Sequence, residues 1–247
     1  MLRLFLCSLL LAAGYLHAQF DTQSLAPEGA DQLSISALFG EVELYPSETG
    51  EITVTHVVVV NDTERPELGE VKIDRSGNRL SIDEVGPTQQ SLSEECDNRS
   101  VTVRNGVRIG GCNSHIRLRV GVPAGMHIEV DTKYGGVRVA DIAGLTRVHS
   151  TYGTLDIAPG TLDAGTELDL YSNYGNVDLT LPADANAQLE LITEYGSLLT
   201  DFDIAIDEGA SEQRQFYERV VGTIGSGAGA RVKCRSPYDN VYLRRGE

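Results

Sequence analysis

The stretch Ser172-Asn173-Tyr174-Gly175-Asn176-Val177 decides the fold of this chain, because it recurs along the sequence. Three further copies of its [Ser/Thr]-x-Tyr-Gly-x-[Val/Leu] pattern contain Tyr134-Gly135, Tyr152-Gly153 and Tyr195-Gly196. Two looser copies contain Phe39-Gly40 near the start and Tyr238-Asp239 near the end. The tyrosines of the four close copies are 18, 22 and 21 residues apart. A repeat of this length predicts one supersecondary unit per copy.

The apolar residues around the motif predict how each unit is built. Leu168 and Leu170 alternate in step with Tyr174, whereas the next apolar residue, Val177, is out of step by one. Such a slip at a glycine predicts a corner where the backbone adopts a positive φ. Asp239 fits this position, since aspartate tolerates that region better than most residues. Each unit is therefore predicted to be strand, corner, strand, with the tyrosines on the inner side as a core or corner ladder.

These units predict an all-β fold, a β-solenoid or β-helix of roughly 20-residue coils with an N-terminal β-hairpin region. The alternative is a sandwich of ordinary antiparallel hairpins. The hairpin is predicted over residues 71–82, with Gly77 and Asn78 in its turn. We expect one domain over residues 19–247, in which residues 52–115 cap one end and residues 116–247 hold the regular repeats. Residues 212–221 are predicted to be a surface excursion or one short helix.

Residues 1–18 have the pattern of a secretory signal. Arg3 supplies a positive start, residues 4–16 are almost wholly apolar, and Leu16-His17-Ala18 ends in a small residue that a signal peptidase accepts. The apolar run is shorter than the roughly 20 residues that span a bilayer. The chain is therefore predicted to be exported, to the periplasm, the cell surface or the medium, with no transmembrane segment after signal removal.

The charge balance predicts which partners are disfavoured. The chain has 20 Lys+Arg against 36 Asp+Glu and a net charge of -16. This charge repels nucleic acid and anionic lipid headgroups. Nucleic acid is therefore excluded as a partner, and a glycan or another envelope protein is left.

Three cysteines follow the signal. Cys96 and Cys112 bracket a polar loop, and a disulfide between them would contribute about 3 kcal/mol by the loop-entropy model. Other pairings stay open. Cys234 is predicted to be an unpaired, buried thiol in a strand. The sequence has no close Cys-x-x-Cys pair, so the cysteine spacings do not predict a zinc site.

The carboxylates and histidines of the sequence form no pattern that predicts a catalytic, cofactor-binding or metal site. Asp156 and Asp178 follow the corners of adjacent units and are predicted to be lateral neighbours, yet Arg138 holds the equivalent place one unit earlier. A solvated charged face is the expected interpretation. His56, His115, His127 and His149 share no metal-ligand spacing, and each is predicted to be a strand residue. Calcium at corner carboxylates is the one cofactor left open.

The order of these features resembles the bacterial putative-adhesin domain of unknown function, a secreted β-helical family. The resemblance runs from about residue 30 to the C-terminus. It includes the hairpin, the strand over residues 116–122 before Pro123-Ala124-Gly125, the repeats, Leu181-Pro182-Ala183-Asp184-Ala185, and Gly225-x-Gly227-x-Gly229. Family repeats more often have serine before the glycine, where this chain has tyrosine. The resemblance implies a β-helical fold without an established activity.

The sequence therefore predicts an exported envelope or surface protein that is a non-catalytic, adhesin-like binding or structural module. The alternative is a carbohydrate-active enzyme, a polysaccharide lyase or hydrolase, that uses grouped carboxylates on one sheet face.

Overall fold

The computed structural model describes residues 22–97, 102–104, 107–109 and 113–246. Residues 1–21, which contain the predicted signal, lie outside this part. The strands are β1 (Thr22–Leu25), β2 (Gln32–Ala37), β3 (Glu41–Pro46), β4 (Ile52–Val60), β5 (Thr63–Glu64), β6 (Glu70–Ser76), β7 (Arg79–Gly86), β8 (Thr102–Arg104), β9 (Val107–Ile109), β10 (Ser114–Val122), β11 (His127–Thr132), β12 (Val137–Ile142), β13 (Leu145–Ser150), β14 (Leu155–Pro159), β15 (Glu167–Ser172), β16 (Val177–Leu181), β17 (Ala187–Thr193), β18 (Leu198–Thr200), β19 (Ala205–Ile206), β20 (Glu212–Arg214), β21 (Tyr217–Ile224), β22 (Ala230–Ser236) and β23 (Val241–Arg245). A 3₁₀ turn (Pro66–Leu68) and helix α1 (Gln89–Asp97) complete the described elements.

Nearly all strands belong to two large sheets. The first sheet has ten strands in the order β1-β4-β10-β3-β12-β14-β16-β23-β18, with β5 beside β4. The second sheet has eleven strands in the order β19-β21-β17-β22-β15-β13-β11-β2-β7-β6, with β20 beside β21. Most neighbours in the middle of both sheets are parallel, whereas β1, β4 and β6 at one end and β19 to β21 at the other pair antiparallel.

The all-β prediction is confirmed, but the β-solenoid or β-helix of successive coils is wrong. In such a stack each coil would pair only with the coils before and after it in sequence. Instead, β10 lies between β3 and β4. The strands of the last repeat are also out of sequence order, since β22 lies between β15 and β17, and β23 lies between β16 and β18. The described residues therefore form two large mixed sheets and a separate pair, β8 with β9. The 20-residue period gives the length of one strand–corner–strand unit, and pairing between residues far apart in sequence decides the order of the units.

The inner faces of the two sheets share one large apolar core, and Val58, Val60 and Ile116 form a second, smaller cluster. Alternate residues of the central strands are buried, as in β15, where Leu168 and Leu170 point inward between exposed or half-buried neighbours. Leu170 lies beside Cys234 in the next strand, and Cys234 lies beside Leu191. Because side chains alternate along a strand, the two-residue period of the sequence predicted these inward positions correctly.

The corners are held by a row of buried hydroxyl groups. Ser172 Oγ donates to the carbonyl of Gly153 at 2.7 Å and accepts the Gly175 N–H at 3.0 Å. Ser150 and Thr193 make the same pair of hydrogen bonds in their own units. The Ser/Thr position of the repeat therefore pairs backbone groups that the corner would otherwise leave buried without partners.

The predicted positive φ at the motif is wrong. The five motif glycines, Gly40, Gly135, Gly153, Gly175 and Gly196, and Asp239 are all outside the set of residues with positive φ. Glycine is required for a different reason, which is the close approach of stacked corners. A Cβ at Gly175 would lie 2.5 Å from the carbonyl oxygen of Gly153, closer than any real Cβ contact.

A buried glutamate closes the first corner, where Ala37 replaces the Ser/Thr of the motif. Glu84 Oε2 accepts the backbone N–H groups of Leu38, Phe39 and Gly40 at 2.7, 2.8 and 3.0 Å. Its Oε1 lies 3.0 Å from His56 Nε2. Burial raises the pKa of Glu84, but the hydrogen bonds from His56, Gly40 and Phe39 outweigh it and leave the pKa below its ordinary value.

Local predictions outside the repeats have mixed outcomes. The hairpin is confirmed, since β6 and β7 pair antiparallel around a two-residue Gly77-Asn78 turn. Residues 212–221 are not helical but form the hairpin of β20 and β21, which pairs with β17 and covers that end of the second sheet. Helix α1 was missed, because its polar composition gives no apolar period.

Candidate functional site

Seven aromatic rings form one stacked column along the corners. In spatial order they are Phe39, Tyr134, Tyr152, Tyr174, Tyr238, Tyr195 and Phe216. Neighbouring centroids lie between 4.8 and 5.7 Å apart, and all contacts except that of Phe216 are within 16° of parallel. We call this column the aromatic ladder. At about 4.8 Å per strand it is about 30 Å long.

The aromatic ladder is on the surface and not in the core. Its five tyrosines are 48–60% exposed and Phe216 is 63% exposed. The prediction that the tyrosines lie on the inner side with Leu168 and Leu170 is therefore wrong, whereas their arrangement as a corner ladder is confirmed. The alternation of a strand does not continue through the corner, so Ser172 is buried while Tyr174, two positions later, points outward.

The stacked rings cover one another's faces and present their rims to solvent. Offset stacking of this kind contributes about 0.5–1.5 kcal/mol per pair beyond the burial of area. Within the part of the chain that the structure describes, none of the five tyrosine hydroxyl groups has a hydrogen-bond partner. The ladder therefore offers apolar ring edges and free hydroxyl groups. Of its two terminal rings, Phe39 packs against the cluster of Val58, Val60 and Ile116, whereas Phe216 is exposed.

Phe216 ends the ladder in a strained conformation. It lies in the two-residue turn between β20 and β21 with φ +61, a region that glycine adopts freely and a bulky residue rarely does. This backbone conformation destabilises the folded state by about 1–3 kcal/mol, and it persists where the surrounding structure or the function maintains it. Its ring stacks on Tyr195 at 5.7 Å. The strained turn therefore places an aromatic ring at the end of the ladder, although other residues would form this turn more easily. No sequence pattern indicated this role of Phe216.

The outer face of the first sheet has the predicted pair of carboxylates. Asp156 and Asp178 are direct neighbours on β14 and β16. Each has an arginine partner, because Arg138 Nε lies 3.2 Å from Asp156 and Arg244 Nε lies 2.7 Å from Asp178. The two carboxylates are therefore part of a charged, solvated face, as the sequence predicted.

The four histidines all lie on strands, as predicted, but two have carboxylate partners that the sequence did not indicate. His56 contacts the buried Glu84, and His149 Nε2 lies 3.1 Å from Asp169. Both partners are distant in sequence, so spacing could not reveal them.

No group of three or more His, Cys, Asp or Glu side chains within residues 22–97, 102–104, 107–109 and 113–246 is placed to hold a metal ion. Calcium at the corners stays a prediction. No helix in the same ranges is long and apolar enough to cross a membrane.

The cysteines differ in their surroundings. Cys96, in α1, is disulfide-bonded. Its predicted partner Cys112 lies outside the described residues, so the pairing stays a prediction. Cys234 is free and fully buried, as predicted, and burial raises the pKa of its thiol.

We expect Cys234 to be inert in the native protein, because only the thiolate reacts and neither ionisation nor access is available in the core. Native protein at neutral pH should react with Ellman's reagent at Cys234 only after urea is added. The Cys234→Ser variant identifies the signal. Rapid loss of this thiol in native protein would contradict its burial.

Two solved structures resemble this fold. A putative cell adhesion protein from Clostridium sporogenes matches with a TM-score of 0.57 and 11% identity, over 92% of this chain and 99% of that chain. A putative adhesin from Bacteroides fragilis matches with a TM-score of 0.35 and 11% identity, over 93% and 98% of the two chains. No protein-family model matches the chain. No curated protein matches it either. The first structure supports the expected putative-adhesin fold, and its low identity restricts the likeness to the fold.

Proposed function

We propose that this chain is an exported, adhesin-like, non-catalytic module of the cell envelope that binds another protein through the aromatic ladder. The observation that carries the proposal is the exposed column of rings. The likeness of this chain's fold to that of a putative cell adhesion protein supports the adhesin-like role and the location at the surface.

The size of the exposed aromatic surface favours a contact function. If each ring offers about half of the 150–250 Å² typical of an aromatic side chain, six half-exposed rings form a stripe of roughly 450–750 Å². The largest apolar patch of an ordinary monomer is about 300–600 Å² and is often functional. The ladder thus matches or exceeds the patches that mark interaction sites.

The geometry of the rings favours a protein over a glycan at the ladder. Sugars stack on the flat face of an aromatic ring, and here most faces are covered by the next ring. Ring edges with free hydroxyl groups suit the mixed apolar and polar contacts of protein interfaces, in which tyrosine is enriched. Lys133, whose Nζ lies 5.4 Å from the Tyr134 ring centroid, adds a cation at one end of the column.

Phe216→Gly tests this proposal without endangering the fold. The change removes the terminal ring and relieves the positive φ, so stability should be unchanged or higher. Binding to immobilised collagen, fibronectin, laminin and the chain itself is measured by interferometry. We expect binding to at least one of these proteins and a loss of about tenfold or more in the variant, as for an aromatic anchor.

Glu28→Gly is the matched control, since Glu28 also has a positive φ but lies away from the ladder. Binding that survives Phe216→Gly unchanged would contradict the ladder as the contact surface. Absence of binding to every protein tested would contradict the adhesin-like role. Release of reducing ends from polysaccharides by the purified chain would contradict the non-catalytic part and favour the carbohydrate-active enzyme.

A further inference from the structure

The outer face of the second sheet has two grooves that share part of their floor. One, of about 880 Å³, crosses β15, β22, β17 and β21, and the other, of about 740 Å³, crosses β11, β13 and β15. Glu167 and Asp169 line both grooves. The two therefore form one continuous depression across the strands, which we call the trough. Thr161 and residues 163–166 and 205–207 border it.

A row of charges of alternating sign runs along the floor of the trough. Neighbouring strands place these side chains side by side in the order Glu129, Arg147, Asp169, Lys233 and Glu190. All five line one groove or the other. Four strand spacings of about 4.8 Å make the row about 20 Å long.

The side chains of this row are held in place by one another and by their neighbours. Arg147 contacts Asp131 at 2.6 Å, and Lys233 Nζ lies 3.4 Å from Glu190. The hydrogen bond from His149 lowers the pKa of Asp169, although burial opposes it. Asp169 is thus an acceptor next to the cationic donors Arg147 and Lys233 on the neighbouring strands. Groups that are ordered before binding lose less conformational entropy when a ligand arrives.

We infer that the trough binds a linear, uncharged polysaccharide that lies along this row, across the strands. Sugar hydroxyl groups both donate and accept hydrogen bonds, so successive sugar residues can donate to the carboxylates and accept from Arg147 and Lys233. The alternating signs give no sustained attraction for a polyion. Six acidic side chains line the grooves against three from Arg and Lys, which further disfavours an anionic chain.

This site shares no residue with the aromatic ladder, and it goes beyond the proposed protein contact. The outer face of the first sheet supplies a comparison, because it has a similar acid–base pair, Arg138 and Asp156, and neither residue lines the trough. A change of the same chemical kind can therefore be made on either face.

Affinity electrophoresis of the purified 19–247 chain in gels containing linear β-glucan, xylan or mannan tests the inference. Polygalacturonate and chitosan serve as anionic and cationic probes. We expect retardation by at least one neutral polysaccharide. The Asp169→Asn/Lys233→Gln double variant should bind it at least tenfold more weakly, and the Asp156→Asn/Arg138→Gln control should bind it normally.

The inference is overturned if no neutral polysaccharide retards the chain, if the trough variant binds as well as the parent, or if polygalacturonate binds more tightly than the neutral chains. Phe216→Gly should retain polysaccharide binding. Failure of the ladder proposal and failure of the trough proposal thus give different results.

Discussion

Gly175→Ala is expected to lower the free energy of unfolding by about 3 kcal/mol, at the upper end of the usual range for overpacking. A Cβ at this position would lie 2.5 Å from the Gly153 carbonyl oxygen and 2.8 Å from the Thr154 nitrogen. Both atoms are backbone, so no flexible side chain can move aside. The corner would have to separate from its neighbour, and Ser172 Oγ would lose its short hydrogen bond to Gly153.

Urea unfolding of the purified variant, compared with Gly209→Ala, measures this effect. The nearest atom to a Cβ at Gly209 is Asp207 Oδ1 at 3.4 Å, an ordinary contact. The control should therefore change stability little, because it fills open space and restricts the unfolded chain. An equal, small effect of both substitutions would contradict the close approach of the corners.

Glu84→Gln is expected to destabilise the protein by about 3–5 kcal/mol, the cost of breaking a buried charged network. The carboxylate accepts three backbone N–H groups and contacts His56, and its residue is only 8% exposed. The amide that replaces it has one acceptor oxygen, and its NH₂ group cannot accept. Buried N–H groups of the Phe39 corner or His56 would then lose their partner.

The lowered pKa of Glu84 also predicts a dependence on pH. Because the folded state favours the ionised form, this stabilisation is complete above the unfolded pKa, about 4.3. It is lost as pH falls through the lower folded pKa. Unfolding free energies measured from pH 7 to pH 3 should therefore converge for parent and Glu84→Gln at the acid end, since other carboxylates titrate equally in both.

Asp83→Asn is the matched control, one residue earlier on β7 and only half-buried. Its effect should stay within about 0.5 kcal/mol, as for ordinary surface changes. If parent and Glu84→Gln differ by a constant amount at every pH, or do not differ at pH 7, the role of Glu84 as an ionised acceptor is wrong.

The sequence by itself determined the all-β class, the inward apolar positions and the strand–corner–strand unit. Side-chain direction alternates along any strand, so a pattern such as that of Leu168 and Leu170 needs no tertiary information. The same holds for the Gly77-Asn78 turn, which depends only on local backbone preferences. These features are encoded over fewer than about 20 residues, which is one repeat of the chain.

Only the tertiary structure decided the order of the strands, the exposure of the tyrosines and the reason for the glycines. The Asp169–Lys233 and Glu84–Phe39 neighbours are far apart in sequence, and nothing local to either residue specifies its partner. Gly175 shows the difference most clearly. The sequence indicated that glycine is needed at the corner, but only the packing of Gly153 against it shows that space, and not a positive φ, is the cause.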